Sequence, residues 1–370
     1  MIRPNVHPRT LSLDQIARTT YSLFNNNIFR QMANNTDEIP EPTDHTHQYF
    51  DPHFQDTIGD QIKEKPTNVF RVVGQNANGI SPRNDFQKWN EILQSTITHE
   101  IDALCLSETN VEWRHPITAS KIPAITKRFF NHSRLTTTTS SVKFERIFKP
   151  GGAATLITNE WTSRILNCEP DNSGLGRWTT TTMTGRRHKK LAIIGAYQLC
   201  KTSIHQCGIT TCYSQQWHIL RSQGVELPNP REKFWIDLTN HIRSLQSQQF
   251  QIILLGDFNT TDTADRHNPI NFLRQRCNLT DAIGHFHDCS THTSYSRGTT
   301  IIDYCLVSTD ILPSIRSCGY LPLHFCVFPI IGVYTSTSTV LSYLAVLLPK
   351  SQNQRPASLR VEIHNQPKNF

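Results

Sequence analysis

Short apolar runs alternate along this chain with segments in which apolar residues recur at helical spacing. Residues 252–255 form an aliphatic run that predicts a buried strand, and earlier runs at 69–73 and 101–106 are of similar length. Residues 84–99 and 230–245 place apolar side chains on one face of a helix, and each segment lies ahead of a predicted strand. The order strand, helix, strand therefore occurs twice, which predicts an α/β fold.

The two ends of the chain differ in composition from its middle. Residues 1–65 are polar, rich in Asn, Thr and His and broken by prolines, so apart from one predicted helix we expect this segment to be mostly disordered. We expect residues 66–335 to form one domain, because 370 residues exceed what a single core comfortably organises. Residues 336–370 are expected to be an aberrant, disordered tail, in which a wholly apolar stretch is followed by a polar one.

Polar side chains directly follow the apolar run at 252–255. Gly256 is expected to allow a sharp turn, and Asp257 and Asn259 come at the carboxyl end of the predicted strand, where ligands bind in α/β proteins. Side chains two apart on extended backbone point to the same side, so a carboxylate and an amide should converge. The pair suits a base that activates water beside a neutral group that hydrogen-bonds a phosphate oxygen. An ordinary Asx-turn after a strand is the alternative.

Residues 252–260, with the sequence IILLGDFNT, resemble the GDFN strand of the endonuclease/exonuclease/phosphatase family, which includes apurinic endonucleases, DNase I and retrotransposon endonucleases. Five further segments resemble motifs of that family and occur in its order: QNANGI at 75–80, IDALCLSET at 101–109, GGAATLI at 151–157, LAIIGAY at 191–197 and SRGTTIIDYCLVS at 296–308. The motifs are most similar to those of endonucleases encoded by non-LTR retroelements. The resemblance implies a four-layered α/β sandwich of two packed mixed sheets flanked by helices.

The resemblance also implies which residues form a catalytic site. Glu108 and Asn76 would hold Mg²⁺, with Mn²⁺ as an alternative, since such ions take hard oxygen ligands. Tyr197 would hydrogen-bond a phosphate oxygen, Asp257 would orient or deprotonate the attacking water, and Asn259 would align that water. The implied substrate-binding residues are Asn78, Tyr197, Asn259 and Arg297.

Asp303 belongs to the implied catalytic set, but the histidine that it would orient through the ring N–H is missing. The family ends its site with Ser-Asp-His on the last core strand, where this chain reads CVFPIIGVYTSTST at residues 326–339. His324 lies nearby, in a predicted loop, and is a poor substitute. A shifted frame that starts at the last base of the Phe328 codon is compatible with Ser-Asp-His followed by an apolar strand. We therefore hypothesise a frameshift near residues 327–329.

Composition adds a preference for certain partners and compartments. The net charge of +7 and the pI of about 8.9 favour a polyanionic partner such as DNA. Ten cysteines and no apolar export segment near the start indicate reduced thiols and an intracellular protein. Cys200, Cys207 and Cys212 lack the spacing of a structural zinc site. Residues 285–292 contain the residue types that bind zinc, although an ordinary loop is the favoured interpretation.

These observations together favour Mg²⁺-dependent hydrolysis of DNA phosphodiesters by a retroelement-type endonuclease domain that is impaired by loss of the catalytic histidine. Two alternatives stay open: an inactive nuclease remnant that binds DNA, and a phosphatase of a small phosphoester or phospholipid. The expected partners are DNA and a reverse transcriptase encoded by the same element. We expect a monomer with no membrane association, nuclear if functional. Residues 186–190, RRHKK, fit either a nuclear import signal or a solvated hairpin turn.

Overall fold

The structure is a computed structural model that describes residues 58–60, 62–66, 69–185, 189–263, 265, 268–289, 294, 300–321 and 341–347. Several sequence expectations lie outside these residues. They are the disorder and the helix predicted within residues 1–57, the roles considered for Arg297 and His324, and the altered motif at 326–339.

Within the described residues, thirteen strands form two sheets. The seven-stranded sheet contains β1 (Ile58–Gly59), β2 (Val69–Asn76), β3 (Ala103–Ser107), β4 (Ser133–Thr138), β5 (Ala153–Thr158), β12 (Ile315–Leu321) and β13 (Leu341–Leu347), in the order β1-β12-β13-β2-β3-β5-β4. The six-stranded sheet contains β6 (Ile165–Pro170), β7 (Trp178–Thr184), β8 (Lys190–Tyr197), β9 (Phe250–Asp257), β10 (Leu279–Asp281) and β11 (Asp303–Ser308), in the order β10-β11-β9-β8-β7-β6. Both sheets are mixed, because β2–β3 and β8–β9 are parallel and the other pairs are antiparallel.

Six helices accompany these strands. They are α1 (Arg83–Thr98), α2 (Pro116–Phe129), α3 (Cys212–Ser222), α4 (Pro230–Ser247), α5 (Pro269–Cys277) and the short α6 (Ala282–Phe286), all within the described ranges. A parallel pair of strands needs a crossover connection, which α1 supplies between β2 and β3, and α3 with α4 between β8 and β9. None of the helices in the described part of the chain is long and apolar enough to span a membrane.

The core has three apolar layers. Side chains such as Phe70 and Cys105 from the first sheet meet Ile193 and Leu255 from the second in the central layer. Helices α1 and α2 cover the outer face of the first sheet, and α4 and α5 cover the outer face of the second. Each fully buried aliphatic side chain contributes roughly 1.5–3 kcal/mol to folding. The order helix, sheet, sheet, helix confirms the predicted four-layered sandwich.

The two helices that flank β9 begin with the same dipeptide. Asn229 precedes Pro230 in α4, and its side chain accepts a hydrogen bond from the backbone N–H of Glu232. Asn268 precedes Pro269 in α5 and accepts one from the N–H of Ile270. An Asn cap satisfies an otherwise unpaired helix N–H, and proline at the first helical position has none to lose. The two caps fix the first residues of α4, which precedes β9, and of α5, which follows it.

Both ends of the domain extend beyond the boundaries expected at 66 and 335. Strand β1 pairs with β12, and the ammonium of Lys65 lies 2.7 Å from a carboxylate oxygen of Asp102. Strand β13 pairs with β12 on one side and β2 on the other. The apolar run that was expected to lie in a tail therefore joins the sheet.

Candidate active site

Five predicted site residues lie where strands begin or end at one edge of the sandwich. Asn76 is the last residue of β2, and Glu108 follows directly after β3. Tyr197 and Asp257 are register partners at the ends of the parallel strands β8 and β9, and Asp303 is the register partner of Asp257 on β11. The convergence that the strand ends predicted is thus present in the structure.

One hydroxyl group joins the two sheets at this edge. Ser107 donates a 2.8 Å hydrogen bond from Oγ to the carbonyl oxygen of Ala196, and the same Oγ accepts one of 3.2 Å from the backbone N–H of Asp257. Gly256 permits a close approach between β9 and Ala196 on the neighbouring strand β8. A Cβ atom at Gly256 would lie 1.9 Å from the carbonyl oxygen of Ala196, so the glycine is required for contact between strands and not for the sharp turn expected from the sequence.

Asn76 connects the two carboxylates of the site. Its amide nitrogen Nδ2 donates to Oε2 of Glu108 at 3.0 Å and to Oδ2 of Asp257 at 2.7 Å. Its Oδ1 atom accepts a 2.8 Å hydrogen bond from the backbone N–H of Asn78, which fixes the orientation of the amide. Glu108 and Asp257, which are far apart in sequence, therefore approach the same nitrogen atom.

The loops after these strands have unusual backbone angles. Glu108 has φ of 49°, and three site asparagines have similar values, namely Asn78 at 42°, Asn110 at 53° and Asn259 at 43°. Asparagine tolerates this left-handed region, whereas glutamate there costs of order 1–3 kcal/mol. Neighbouring contacts hold the strained residue in place, since its carbonyl accepts a hydrogen bond from Gly79 and its carboxylate accepts one from Asn110. Such strain is typical of functional sites.

The site concentrates negative charge in a buried place. Burial, together with the negative charge of Glu108, raises the pKa of Asp257 from 3.8 to about 7, against the lowering effect of the hydrogen bonds from Asn259 and Asn76. Burial and the charge of Asp257 hold the pKa of Asp303 well above its usual range. The backbone N–H of Asn259 donates to Oδ1 of Asp257 at 2.9 Å. A divalent cation would relieve the repulsion between these carboxylates.

The donor set fits a hard cation such as Mg²⁺. Glu108 and Asp257 offer carboxylate oxygens, which are the ligand type that Mg²⁺ prefers, whereas Asn76 faces them with Nδ2 while its Oδ1 atom accepts from the backbone N–H of Asn78. Two cations act on these groups but donate their hydrogen bonds elsewhere. Arg231 lowers the pKa of Asp257 and donates to Leu199, Asn259 and Thr260. Lys88 interacts electrostatically with Glu108, and its ammonium donates to the carbonyl of Asn78. The carboxylates are thus left for a metal ion to neutralise.

Tyr197 stays a neutral hydrogen-bond donor in this environment. It is 5% exposed, and burial followed by the charge of Glu108 holds its pKa well above the usual range. Gly151 lies against it: a Cβ atom there would come within 3.9 Å of the tyrosine ring and 2.6 Å of the Cys212 sulfur. At neutral pH the phenol therefore keeps its proton and can donate a hydrogen bond to an anionic oxygen.

Asn259 is placed differently from its predicted role as a free water-aligning amide. Its Nδ2 atom donates to the carbonyl of Gln198 at 2.7 Å, and its Oδ1 atom accepts from the thiol of Cys200 at 3.3 Å. Asn259 contacts the proposed base directly through its backbone N–H, which donates to Asp257 and orients that carboxylate. The residue also lines a cleft of about 470 Å³ beside the carboxylates, together with Lys201, Thr260, Thr261, Thr263, Asn268 and Ile302.

Three residues that support the site were missed by sequence reasoning. Ser107 is a polar residue at the end of an otherwise apolar strand, which was a usable signal. Arg231 stands in the first turn of α4, where a positive charge opposes the helix dipole, and this mismatch also pointed to another role. Asn110 carried no signal, because its bonds to Glu108 and to the backbone N–H of Gly151 depend on the folded loop.

Comparisons with known proteins identify the family and the fold. The model of the Endonuclease/Exonuclease/phosphatase family matches residues 74–325, which is more than half of the chain. The AP endonuclease LMAP from Leishmania major is similar in structure, with a TM-score of 0.55 and 13% identity, over 77% of this chain and 90% of that one. The human Nocturnin catalytic domain with bound sulfate has a TM-score of 0.50 and 15% identity, over 79% and 97%. No curated protein matches the sequence significantly.

Proposed function

Because the chain belongs to the endonuclease/exonuclease/phosphatase family, we propose that its site performs Mg²⁺-dependent hydrolysis of DNA phosphodiester bonds. The observation that carries this proposal is the single amide of Asn76 between the carboxylates of Glu108 and Asp257. Two carboxylates that share one hydrogen-bond donor at a strand edge suit a cation and a phosphate better than an uncharged substrate.

Glu108 and Asn76 would hold the metal ion, with Asp257 beside them. When bound, Mg²⁺, or Mn²⁺ in its place, supplies an electrophile for the phosphate oxygens and neutralises charge there. The chain's own residues orient the groups that would hold the ion. The αL turn at Glu108 and the hydrogen bond from Asn110 fix the direction of the carboxylate before any ligand arrives.

Asp257 is suited to take a proton from the attacking water. A general base works best when its pKa lies near the working pH, and the pKa of Asp257 is raised to about 7. The N–H of Asn259 donates to one oxygen of that carboxylate and the amide of Asn76 donates to the other, so both hydrogen bonds orient the base, and a remaining lone pair accepts the proton. Tyr197 donates a hydrogen bond to a phosphate oxygen, and its high pKa prevents it from becoming a repelling anion.

Asp303 lacks the histidine that it would orient in the proposed mechanism. Its backbone is firmly held, since the Tyr320 hydroxyl donates to its carbonyl at 2.9 Å and its N–H donates to the Ser294 hydroxyl at 3.1 Å. No histidine occurs between residues 325 and 340 of the sequence to receive its help. Loss of one general acid–base group typically costs about 10² to 10⁴ in rate, so we propose that the activity of the chain is impaired.

The finer identity of the enzyme is also part of the proposal. The motif likeness to non-LTR retroelement endonucleases supports that type, with nuclear DNA as substrate and a reverse transcriptase of the same element as partner. The net charge of +7 is consistent with a polyanionic substrate. Arg297 and Asn78 would contact the DNA strand, as the resemblance implies, and the protein would act as a monomer.

Nicking of supercoiled plasmid DNA by the full chain in Mg²⁺ tests the proposal. We expect slow nicking that Glu108→Gln abolishes, whereas Glu226→Gln, at an exposed position remote from the site, leaves it unchanged. Retained DNA binding without nicking would favour the inactive remnant. Faster release of phosphate from a small phosphomonoester than cleavage of DNA would favour the phosphatase. Brisk nicking would contradict the impairment and would mean that His324 or another donor serves.

A further inference from the structure

Three metal-ligating side chains from distant parts of the sequence meet beside β1, the edge strand of the seven-stranded sheet. Asp60 follows β1, His287 follows α6, and Cys318 lies in β12. One carboxylate oxygen, one imidazole nitrogen and the thiol sulfur of these residues all lie within 4.8 Å of one another. Carboxylate, imidazole and thiolate together form a set of zinc ligands.

Backbone contacts hold the carboxylate in this cluster. Asp60 and Cys318 exchange two hydrogen bonds: the N–H of Asp60 donates to the carbonyl of Cys318 at 3.1 Å, and the N–H of Cys318 donates to Oδ2 of Asp60 at 3.0 Å. Gly59 makes room for the imidazole, because a Cβ atom there would lie 2.9 Å from Cδ2 of His287 and 2.5 Å from the Cys318 carbonyl oxygen. The cluster is therefore part of the β1–β12 pairing and not a chance encounter of long side chains.

The imidazole of His287 has an unusual environment. Its Nε2 atom is inaccessible to solvent and makes no hydrogen bond to any described residue, although it lies 3.5 Å from Oδ2 of Asp60. A buried ring nitrogen without a hydrogen bond costs free energy of order 1–3 kcal/mol. A metal ion between the nitrogen and the carboxylate would remove that cost.

We propose that Asp60, His287 and Cys318 bind a structural Zn²⁺ ion, with water as the fourth ligand. Zinc bonds of roughly 2.0–2.3 Å in a tetrahedron place ligand atoms about 3.3–3.8 Å apart. The ligand atoms need to close by at most about 1.5 Å from the observed limit of 4.8 Å, which side-chain rotations provide. A thiolate and an imidazole favour zinc over Mg²⁺, so this site differs in ligand chemistry from the carboxylate pair.

The three proposed ligands come from separate elements of the fold. The ion would join β1 to β12 and to the segment after α6.

The test measures zinc bound by the full-length chain after equilibration with a competing chelator of known affinity. We expect about one tightly bound zinc ion per chain, and His287→Ala or Asp60→Asn should weaken binding at least about tenfold. His285→Ala, at an exposed position two residues away, is the matched control and should bind as the unaltered chain does. Equal retention by His287→Ala and His285→Ala, or no tight binding by the unaltered chain, would overturn the proposal.

Cobalt absorption provides a second readout, because the spectrum of the unaltered chain itself reports whether a thiolate is a ligand. Co²⁺ in the unaltered chain should show the near-ultraviolet charge-transfer band of thiolate ligation and the visible bands of a tetrahedral ion. Cys318→Ser should remove the charge-transfer band, whereas Cys168→Ser, at a partly buried cysteine on β6, should keep it. Absence of the band from the unaltered chain would contradict Cys318 as a ligand. A chelator should lower the melting temperature of the unaltered chain but not that of His287→Ala.

Discussion

Replacing Asp257 by asparagine should change the pH dependence of stability in a defined direction. The native carboxyl binds its proton more tightly than the unfolded one, because burial and the charge of Glu108 raise its pKa from 3.8 to about 7. Between those values the native state holds more protons than the unfolded state, so the charged carboxyl lowers the stability of the unaltered chain as pH rises. Well below pH 3.8 the carboxyl is protonated in both states and this penalty is absent.

The magnitude follows from the change in pKa. At about 1.4 kcal/mol per pH unit, the rise from 3.8 to about 7 corresponds to about 4 kcal/mol as an upper bound. The variant brings its own constant cost, because its new amide would face the Nδ2 atom of Asn76, donor against donor, at the position of the 2.7 Å hydrogen bond. That cost is about 1–3 kcal/mol and is nearly the same at all pH values. The difference between pH 4 and pH 8 therefore isolates the carboxylate.

Urea unfolding without divalent cations, followed by tryptophan fluorescence from pH 4 to pH 8, measures this difference. The stability of Asp257→Asn relative to the unaltered chain should rise by about 2–4 kcal/mol over that range. Asp310→Asn, at an exposed position, should run parallel to the unaltered chain. Mg²⁺ should stabilise the unaltered chain at pH 8 and have little effect on Asp257→Asn. Parallel curves for Asp257→Asn and the unaltered chain would refute the argument that burial beside Glu108 penalises the charge.

Three further predictions concern the support of the site and its missing group. Ser107→Ala should destabilise the fold by about 1–3 kcal/mol in urea unfolding, because it leaves the buried N–H of Asp257 without its partner; an unchanged midpoint would mean that the two sheets do not depend on this contact. Lys149→Met should cost about 1–3 kcal/mol by the same measurement, because it removes a fully buried ammonium from Glu112 and from the carbonyls of Ser140 and Val142, although Arg114 still pairs with Glu112; an unchanged midpoint would contradict that. Placing Ser-Asp-His at residues 329–331 should raise plasmid nicking by about 10² to 10⁴ and raise the melting temperature; equal rates would contradict the loss of a histidine as the cause of impairment.

Sequence reasoning located the site well because strand ends carry a strong signal. Apolar runs that stop at a polar residue mark where a strand leaves the core, and parallel pairing brings such ends to one edge. Asp257 and Glu108 were therefore placed correctly from local pattern and motif order. The bridge through Asn76 could not be predicted, because a hydrogen bond from one amide to two carboxylates depends on side-chain rotamers and on the contact between two sheets.

The ends of the domain were harder to predict for a physical reason. Strand β1 has two residues, and its pairing with β12 links positions far apart in sequence, so no local period marks it. Strand β13 was misjudged because a uniformly apolar run lacks the alternation expected of a half-buried strand. The cluster of Asp60, His287 and Cys318 depends on both ends at once, and only the run at 285–292 hinted at it.

The central claim is that Glu108, Asn76 and Asp257 form a divalent cation site for phosphodiester hydrolysis. Electron paramagnetic resonance of Mn²⁺, titrated into zinc-saturated protein, tests it directly and does not require the missing histidine. We predict one tight Mn²⁺ site that Mg²⁺ displaces, that persists in Glu226→Gln and that is lost in Glu108→Gln. Equal Mn²⁺ binding by Glu108→Gln and the unaltered chain would contradict the account.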